Sequence, residues 1–257
     1  MDYLVISIAS AAVAALTLFS GFGLGTLLMP VFAIFFPVEL AVALTAIVHF
    51  LNNVLKLALL GRFAEKSILI QFGISAILGA FLGASVLVWL SGLEPFLQYS
   101  LGNLDLEVMP VKATVAVLLV LFAAFELLPR FEQMAFEKKY LPFGGLISGF
   151  FGGLSGHQGA LRSAFLLKSG LSKEQFLGTS VVIACAVDVS RISVYYPYFS
   201  LDRMEGQAWL LVVAVASAFL GTFLGNRLVK KVTMHSIQML VSVMLLGIAI
   251  GLAGGLL

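Results

Sequence analysis

Cysteine is all but absent: Cys185 is the only one in the chain. That excludes an internal disulfide and a cysteine metal cluster, and its apolar surroundings mark it as an inert buried thiol. Charge is scarce as well. Only 11% of the 257 residues are Asp, Glu, Lys or Arg, where a soluble domain carries about a quarter. With 61% hydrophobic residues and a mean hydropathy of +1.08, the chain cannot cover itself with polar surface, so a lipid bilayer must be its solvent. The net charge of +2 and the lack of a long basic run exclude nucleic acid as a partner. There is no GxSxG elbow, no HExxH pair and no metal-ligand spacing, so no cofactor or metal is expected. The opening MDYLVISIASAAVAALTLF has no basic n-region and leads into further apolar runs. It is read as a first membrane segment, not a cleavable signal.

What is present is a series of apolar runs: Tyr3–Phe19, Leu24–Phe36, Leu40–Leu60, Ile68–Leu90, Ala113–Leu128, Leu141–Leu154, Gly159–Leu167, Phe176–Tyr196, Ala208–Leu224 and Ile237–Leu257. A full span needs about 20 residues. The third, fourth, eighth and tenth runs reach that length, whereas Leu24–Phe36 and Gly159–Leu167 fall short. Each short run follows a glycine-rich break, SGFGLG at Ser20–Gly25 and GGLSGHQG at Gly152–Gly159. Non-helical backbone at membrane depth is tolerated only inside protein or beside a cavity, so both places read as broken or re-entrant helices.

The chain also repeats itself. A shift of 135 lays Ser20-Gly21 on Ser155-Gly156, Glu39 on Glu174, Asn53 on Asp188 and Lys56 on Arg191. A shift of 142 lays SAILGAFLG (Ser75–Gly83) on SAFLGTFLG (Ser217–Gly225), identical at seven of nine positions, and the difference fits an insertion around Tyr196–Asp202. The fold class expected is therefore an all-α polytopic membrane protein made of two five-segment repeats, residues 1–130 and 131–257. Five is odd, so the repeats are inverted, and paired breaks in two such halves point to a transporter binding site. Segment parity puts Arg62, Lys66, Arg130, Lys138, Lys139, Lys168, Lys173, Arg227, Lys230 and Lys231 on one face. Lys112 and Arg203 lie on the other, whose long loop Ser91–Pro110 carries Glu94, Asp105 and Glu107. The positive-inside rule makes the first face cytoplasmic and leaves both termini outside.

Within these segments a few polar residues stand out. Thr45, His49, Asn52 and Lys56 fall at i, i+4, i+7 and i+11, one side of a helix, with Asn53 beside them. Interhelical hydrogen bonds and a snorkelling Lys56 are the plain explanation, and a lined pathway is the functional one. Asp188, Arg191 and Tyr195 share another face, where an i,i+3 pair is self-neutralising or Arg191 snorkels to the outer end. Arg162 carries the most weight. It follows the second break, where a half-helix N-terminus offers free N–H groups and partial positive charge, and its fork of donors matches oxyanions. Ser155, Gly156, His157, Gln158 and Ser163 surround it as further donors. A purely structural Arg162–Asp188 pair is the alternative. Asp188, His49 and His157 are the candidates for a coupling proton.

The duplicated SG-plus-glycine segments, the GLSxxxFxGT run from Gly170 to Thr179 and the compact size resemble the TauE/SafE sulfite exporter (TSUP) family over nearly the whole chain. The resemblance implies an inner-membrane secondary carrier for sulfite, organosulfonates or related small sulfur-containing or organic anions. Where that family often carries a longer glycine run, this chain reads HQGALR after the second SG and FGLG after the first. A fixed arginine thus enters where glycine backbone would serve, which marks a subgroup with its own anion.

The expectation is alternating-access transport of a small anion, with Arg162 as main ligand and Ser155, Gly156, His157 and Gln158 as surrounding donors. Asp188 and Arg191 form a switchable pair, and Thr45, His49, Asn52 and Asn53 contribute from the other half. The alternatives are a passive anion channel, a membrane-embedded enzyme built on Ser155, His157 and Asp188, and an assembly partner without transport. Gly247 and Gly251 make a GxxxG face that serves packing within the chain or a homo-oligomer.

Overall fold

The computed structural model describes residues 2–20, 24–127, 135–198, 208–228 and 234–257. Ten helices run through these residues: α1 (Asp2–Ser20), α2 (Leu24–Ala33), α3 (Val38–Leu60), α4 (Lys66–Ser91), α5 (Pro110–Leu127), α6 (Leu141–Ser155), α7 (Gly159–Leu166), α8 (Lys173–Tyr195), α9 (Ala208–Leu228) and α10 (Met234–Ala253). Each corresponds to one apolar run of the sequence. Among the described residues three stretches are long and apolar enough to cross a membrane: Val38–Phe63, Lys66–Ser91 and Lys173–Tyr195. Shorter apolar stretches lie at Leu4–Ala15, Pro110–Phe125, Trp209–Phe223 and Gln238–Ala253. Large apolar side chains such as Phe81, Trp209, Phe223 and Ile250 face outward, as a multi-pass membrane protein requires.

Small residues decide which helices touch. A Cβ added to Gly79 or Gly83 of α4 would run into the carbonyl oxygens of Leu146 or Phe150 on α6. One added to Gly149 or Gly153 of α6 would meet the carbonyls of Ala76 or Ala80 on α4. The two backbones therefore lie in contact, the close approach that small-xxx-small spacing allows between membrane helices. The same device recurs between α9 and α1, where a Cβ on Gly221 would strike the carbonyl of Ala11. The shift of 142 carries Gly79 onto Gly221, and the shift of 135 carries Ala11 onto Leu146. α3 also packs on α8, and α5 on α10.

α6 and α7 form a hairpin. α6 has 15 residues, about 22 Å of rise, short of the roughly 30 Å hydrocarbon core. α7 then doubles back: Ser148 Oγ of α6 donates to the Gln158 carbonyl at 3.1 Å, and the Phe165 ring covers Gly144. Phe165 also stacks on Phe136, just before α6, at 4.3 Å. The chain thus leaves at the end where it entered. The first break, Gly21 to Gly23, lies outside the described residues, as do Arg130, Phe199–Asp202, Arg203, Lys230 and Lys231.

Two further features stand out, the first of them not expected from the sequence. The loop Ser91–Pro110 holds a β-hairpin, β1 (Leu97–Leu101) and β2 (Leu104–Val108), paired antiparallel. Alternating residues such as Leu104, Asp105, Leu106, Glu107 and Val108 give it a buried and an exposed side, and Gly102 makes the two-residue turn with φ 64°. Tyr99 donates its hydroxyl to the Gly254 carbonyl at 2.7 Å, docking the hairpin on the end of α10. The GxxxG face is also interrupted. A Cβ on Gly251 would meet Leu257 of the same chain, while Gly247 faces open space.

Candidate anion-binding site

α3 and α8 cross antiparallel. The Leu60 carbonyl lies against Gly178 at one end of the contact, and His49 meets Asp188 at the other. At 1.5 Å per residue, Asp188 stands about 22 Å along a helix about 33 Å long. The polar cluster therefore sits past the middle of α8, about two-thirds of the way from its lysine-bearing end.

Asp188 links α8 to α3. Its Oδ2 accepts from His49 Nδ1 at 2.6 Å. Its Oδ1 accepts from Arg191 Nε at 3.0 Å and Nη2 at 2.7 Å. Arg191 is 0% exposed, so the snorkelling alternative is corrected. Its Nη1 donates inward, to the Gly152 carbonyl at 3.2 Å, using the second lone pair of an oxygen that already accepts from the Gly156 N–H. Tyr195 likewise donates to the Gly153 carbonyl. Asn53 Nδ2 lies 3.1 Å from His49 Nε2, to which it donates. The Asn52 Oδ1 accepts from Thr222 of α9 at 2.8 Å. The buried cluster thus draws on α3, α8, α9 and the hairpin. Lys56 is half-buried and close enough to Arg162 for the two charges to act on each other.

The hairpin tip is built on Gly156, whose φ of 84° closes α6, a conformation that suits glycine. Its N–H donates to the Gly152 carbonyl at 3.0 Å. Gly25, at the start of α2, reaches the same point: a Cβ there would stand 3.0 Å from the Gly156 carbonyl oxygen and 3.6 Å from Thr45 Cγ2. The start of α2 and the hairpin tip therefore meet. His157 stacks on Phe122 of α5, ring centroids 4.8 Å apart and planes at 15°. Ser155, expected as a donor to the anion, gives its hydroxyl proton to the Phe151 carbonyl of its own helix at 3.1 Å. Gln158 Oε1 accepts from Arg162 Nη1 at 3.2 Å. The Arg162–Asp188 pair does not form, because both oxygens of Asp188 are occupied by His49 and Arg191. Ser163 is half-buried one residue further along.

What remains is a set of buried polar atoms without partners. Thr45 Oγ1, Asn52 Nδ2, His157 Nε2, Gln158 Nε2 and Arg162 Nε are five of them, with Ser10 Oγ and Ser180 Oγ the others among the described residues. Such atoms are rare in folded proteins, and each calls for a ligand, a water or a reason. Charge points the same way. Among the described buried residues Asp188 is the one acid, against Arg162 and Arg191. Arg191 balances Asp188 and leaves Arg162 as an uncompensated buried cation, a costly arrangement that an anion would relieve.

Sequence reasoning missed Thr222 and Phe122. Thr222 had a signal: in the repeated nine-residue motif it replaces Ala80, a polar residue entering an otherwise apolar match. Phe122 lies in an unbroken apolar run and had none.

A multi-pass helical protein that buries an unbalanced cation among unpartnered donors has the interior of a membrane transporter. The family model described as Sulfite exporter TauE/SafE matches residues 6–252. The chain belongs to that family, one of membrane transporters. No curated protein and no solved structure matches it.

Proposed function

We propose that this protein is a secondary carrier for a small anion, a sulfite, an organosulfonate or a related sulfur-containing or organic anion, and that the anion binds at the tip of the α6–α7 hairpin. Arg162 is the main ligand. Gln158 Nε2 and Asn52 Nδ2 donate further hydrogen bonds, and Thr45 and His157 complete the shell. Asp188, with His49 and Arg191, holds α3 to α8 and sets the frame. The observation that carries this reading is the uncompensated Arg162 standing among buried donors that have no partner.

Alternating access follows from two inverted repeats, residues 1–130 and 131–257. The exchange of α4–α6 for α9–α1 under the sequence shifts supports that arrangement, since equivalent glycines make equivalent contacts. Rocking one repeat on the other would expose the hairpin tip first to one side and then to the other. The charge asymmetry supports an inner-membrane orientation with both termini outside. Lys66 and Lys173 lie at one end, where the Glu65 N–H donates to Thr179 Oγ1 at 2.9 Å. Asp105 and Glu107 lie on the hairpin at the other end of α4.

Anion-dependent thermal stabilisation of the purified protein tests this function, since a ligand of the folded state raises its melting temperature. Sulfite or a simple alkanesulfonate should raise the Tm of the wild type by several degrees and leave that of Arg162→Ala unmoved. No shift with any of these anions, or an equal shift in the variant, would refute the assignment.

A further inference from the structure

Of the unpartnered atoms at the hairpin tip, one differs in kind. His157 Nδ1 lies 2.9 Å from the Ser155 carbonyl oxygen. A carbonyl only accepts, so Nδ1 carries the hydrogen. Ser155 Oγ, 3.2 Å from the same nitrogen, has already given its proton to the Phe151 carbonyl. This fixes the tautomer by its partners, and in the neutral ring Nε2 is then a bare lone pair. Nε2 is buried and has no partner. Its neighbours are the reverse. Gln158 is oriented by the bond from Arg162 to its Oε1, so its orphaned atom is an N–H donor, as is Arg162 Nε. Among the described residues nothing around the ring is placed to hold an imidazolium. Phe122 covers one face, and the one described buried acid, Asp188, is bound to His49 and Arg191.

A fully deprotonated anion offers acceptors alone. It would satisfy the donors and leave Nε2 facing an oxygen lone pair, at the full cost of an unmade buried hydrogen bond. We infer that the site takes an oxyanion that carries its own O–H, a hydroxyl or an acid proton, and that this group donates to His157 Nε2 while Arg162 and Gln158 hold the anionic oxygens. The inference rests on the anion-site reading above and narrows its substrate class. His157 becomes the residue that separates hydroxylated or proton-bearing anions from bare ones. An acid proton carried in this way crosses with the anion, so a coupling proton needs no separate binding carboxylate.

Three sulfonates of similar size make the test: 2-hydroxyethanesulfonate, ethanesulfonate and 2-methoxyethanesulfonate, titrated into the purified full-length protein by calorimetry. The hydroxyl compound should bind the wild type about tenfold tighter than ethanesulfonate, the worth of one buried hydrogen bond. The methoxy compound, which keeps the oxygen but cannot donate, should gain nothing. His157→Phe keeps the stack on Phe122 and removes the lone pair, and should bind the three within about twofold of one another. His157→Gln restores an acceptor oxygen and should recover part of the preference. Equal binding of the hydroxyl and plain sulfonates by the wild type, or a methoxy compound as tight as the hydroxyl one, overturns the inference while leaving an anion site in place. The comparison within the wild type stands even if a variant fails to fold. Failure of the wild type to bind any of the three overturns the anion-site reading and this inference with it.

Discussion

Gly25 and Gly156 meet backbone to backbone, so that a Cβ on Gly25 would stand 3.0 Å from the carbonyl oxygen of Gly156. Through this contact the start of α2, in the first half of the chain, bears on the tip of the α6–α7 hairpin in the second. A methyl group there forces a shift of a few tenths of an ångström at the proposed anion site. Gly25→Ala should therefore cost only about 1 kcal/mol in stability, the lower end for overpacking, while lowering anion flux about tenfold. Gly25→Val should abolish flux. Unfolding and liposome flux measured on the same preparations decide the point, and Gly25→Val transport at the wild-type rate would contradict it.

Asp188 and Arg191 are buried together, and His49 leans on the same carboxylate at 2.6 Å. Asp188→Asn would strand Arg191 without its counter-charge, at a cost of about 3–5 kcal/mol. Arg191→Gln would strand the carboxylate to a similar degree, eased by His49. The double variant should cost less than the sum of the two. A double-mutant cycle on thermal or denaturant unfolding reads the coupling, and simple additivity would show that the pair is not energetically joined.

The α4–α6 seam makes a sharper structural test. Gly83 lies against the Phe150 carbonyl, whereas Gly247 on α10 faces open space. Gly83→Leu should leave little folded protein in the membrane, because the two backbones can approach only through glycine. Gly247→Leu adds an apolar group to an outward face and should change stability by less than about 0.5 kcal/mol. The yield of monodisperse protein and its melting temperature provide the readout.

Orientation is open to labelling. Cys185 is buried, 6% exposed, so it gives little background. A cysteine at Ser100 on the exposed hairpin, or at the exposed Lys139, is available to a membrane-impermeant maleimide. In intact cells Ser100→Cys should label and Lys139→Cys should not, with the pattern reversed in inside-out vesicles. Labelling of Lys139→Cys from outside would invert the topology.

Much of this architecture was legible because lipid imposes simple rules. Every apolar run became a helix, since backbone in hydrocarbon must satisfy itself. The glycine break before Gly159 became the tip of a hairpin, since six residues from Ser155 to Ala160 hold three glycines or alanines and no apolar side chain larger than alanine. The residues expected at the site, from Thr45 and His49 to Asp188 and Arg191, came together because a buried polar group must find either a partner or a ligand. Of their pairings, the i,i+3 pair of Asp188 with Arg191 was legible, with a snorkelling Arg191 as the alternative. The bonds from Arg191 to Gly152 and from His49 to Asp188 were not, because they depend on where the hairpin and α3 lie against α8. The direction of the Ser155 hydroxyl and the stacking of His157 on Phe122 depend on how α5 and α6 pack, which spacing along one helix does not record. The β-hairpin at Leu97–Val108 went unread because its alternating pattern is short and borrows its support from Gly254, far along the chain.

Arg162, a buried cation without a carboxylate partner, is the residue proposed to hold the permeating anion. Reconstitute wild type, Arg162→Lys and Arg162→Ala in liposomes and measure uptake of labelled sulfite and ethanesulfonate under equal driving force. The account predicts a loss of about 10- to 100-fold for Arg162→Ala, the worth of a hydrogen bond to a charged group at about 1.5–3 kcal/mol, with partial activity in Arg162→Lys. Arg162→Ala transport at the wild-type rate, in protein that is folded and inserted, would contradict it.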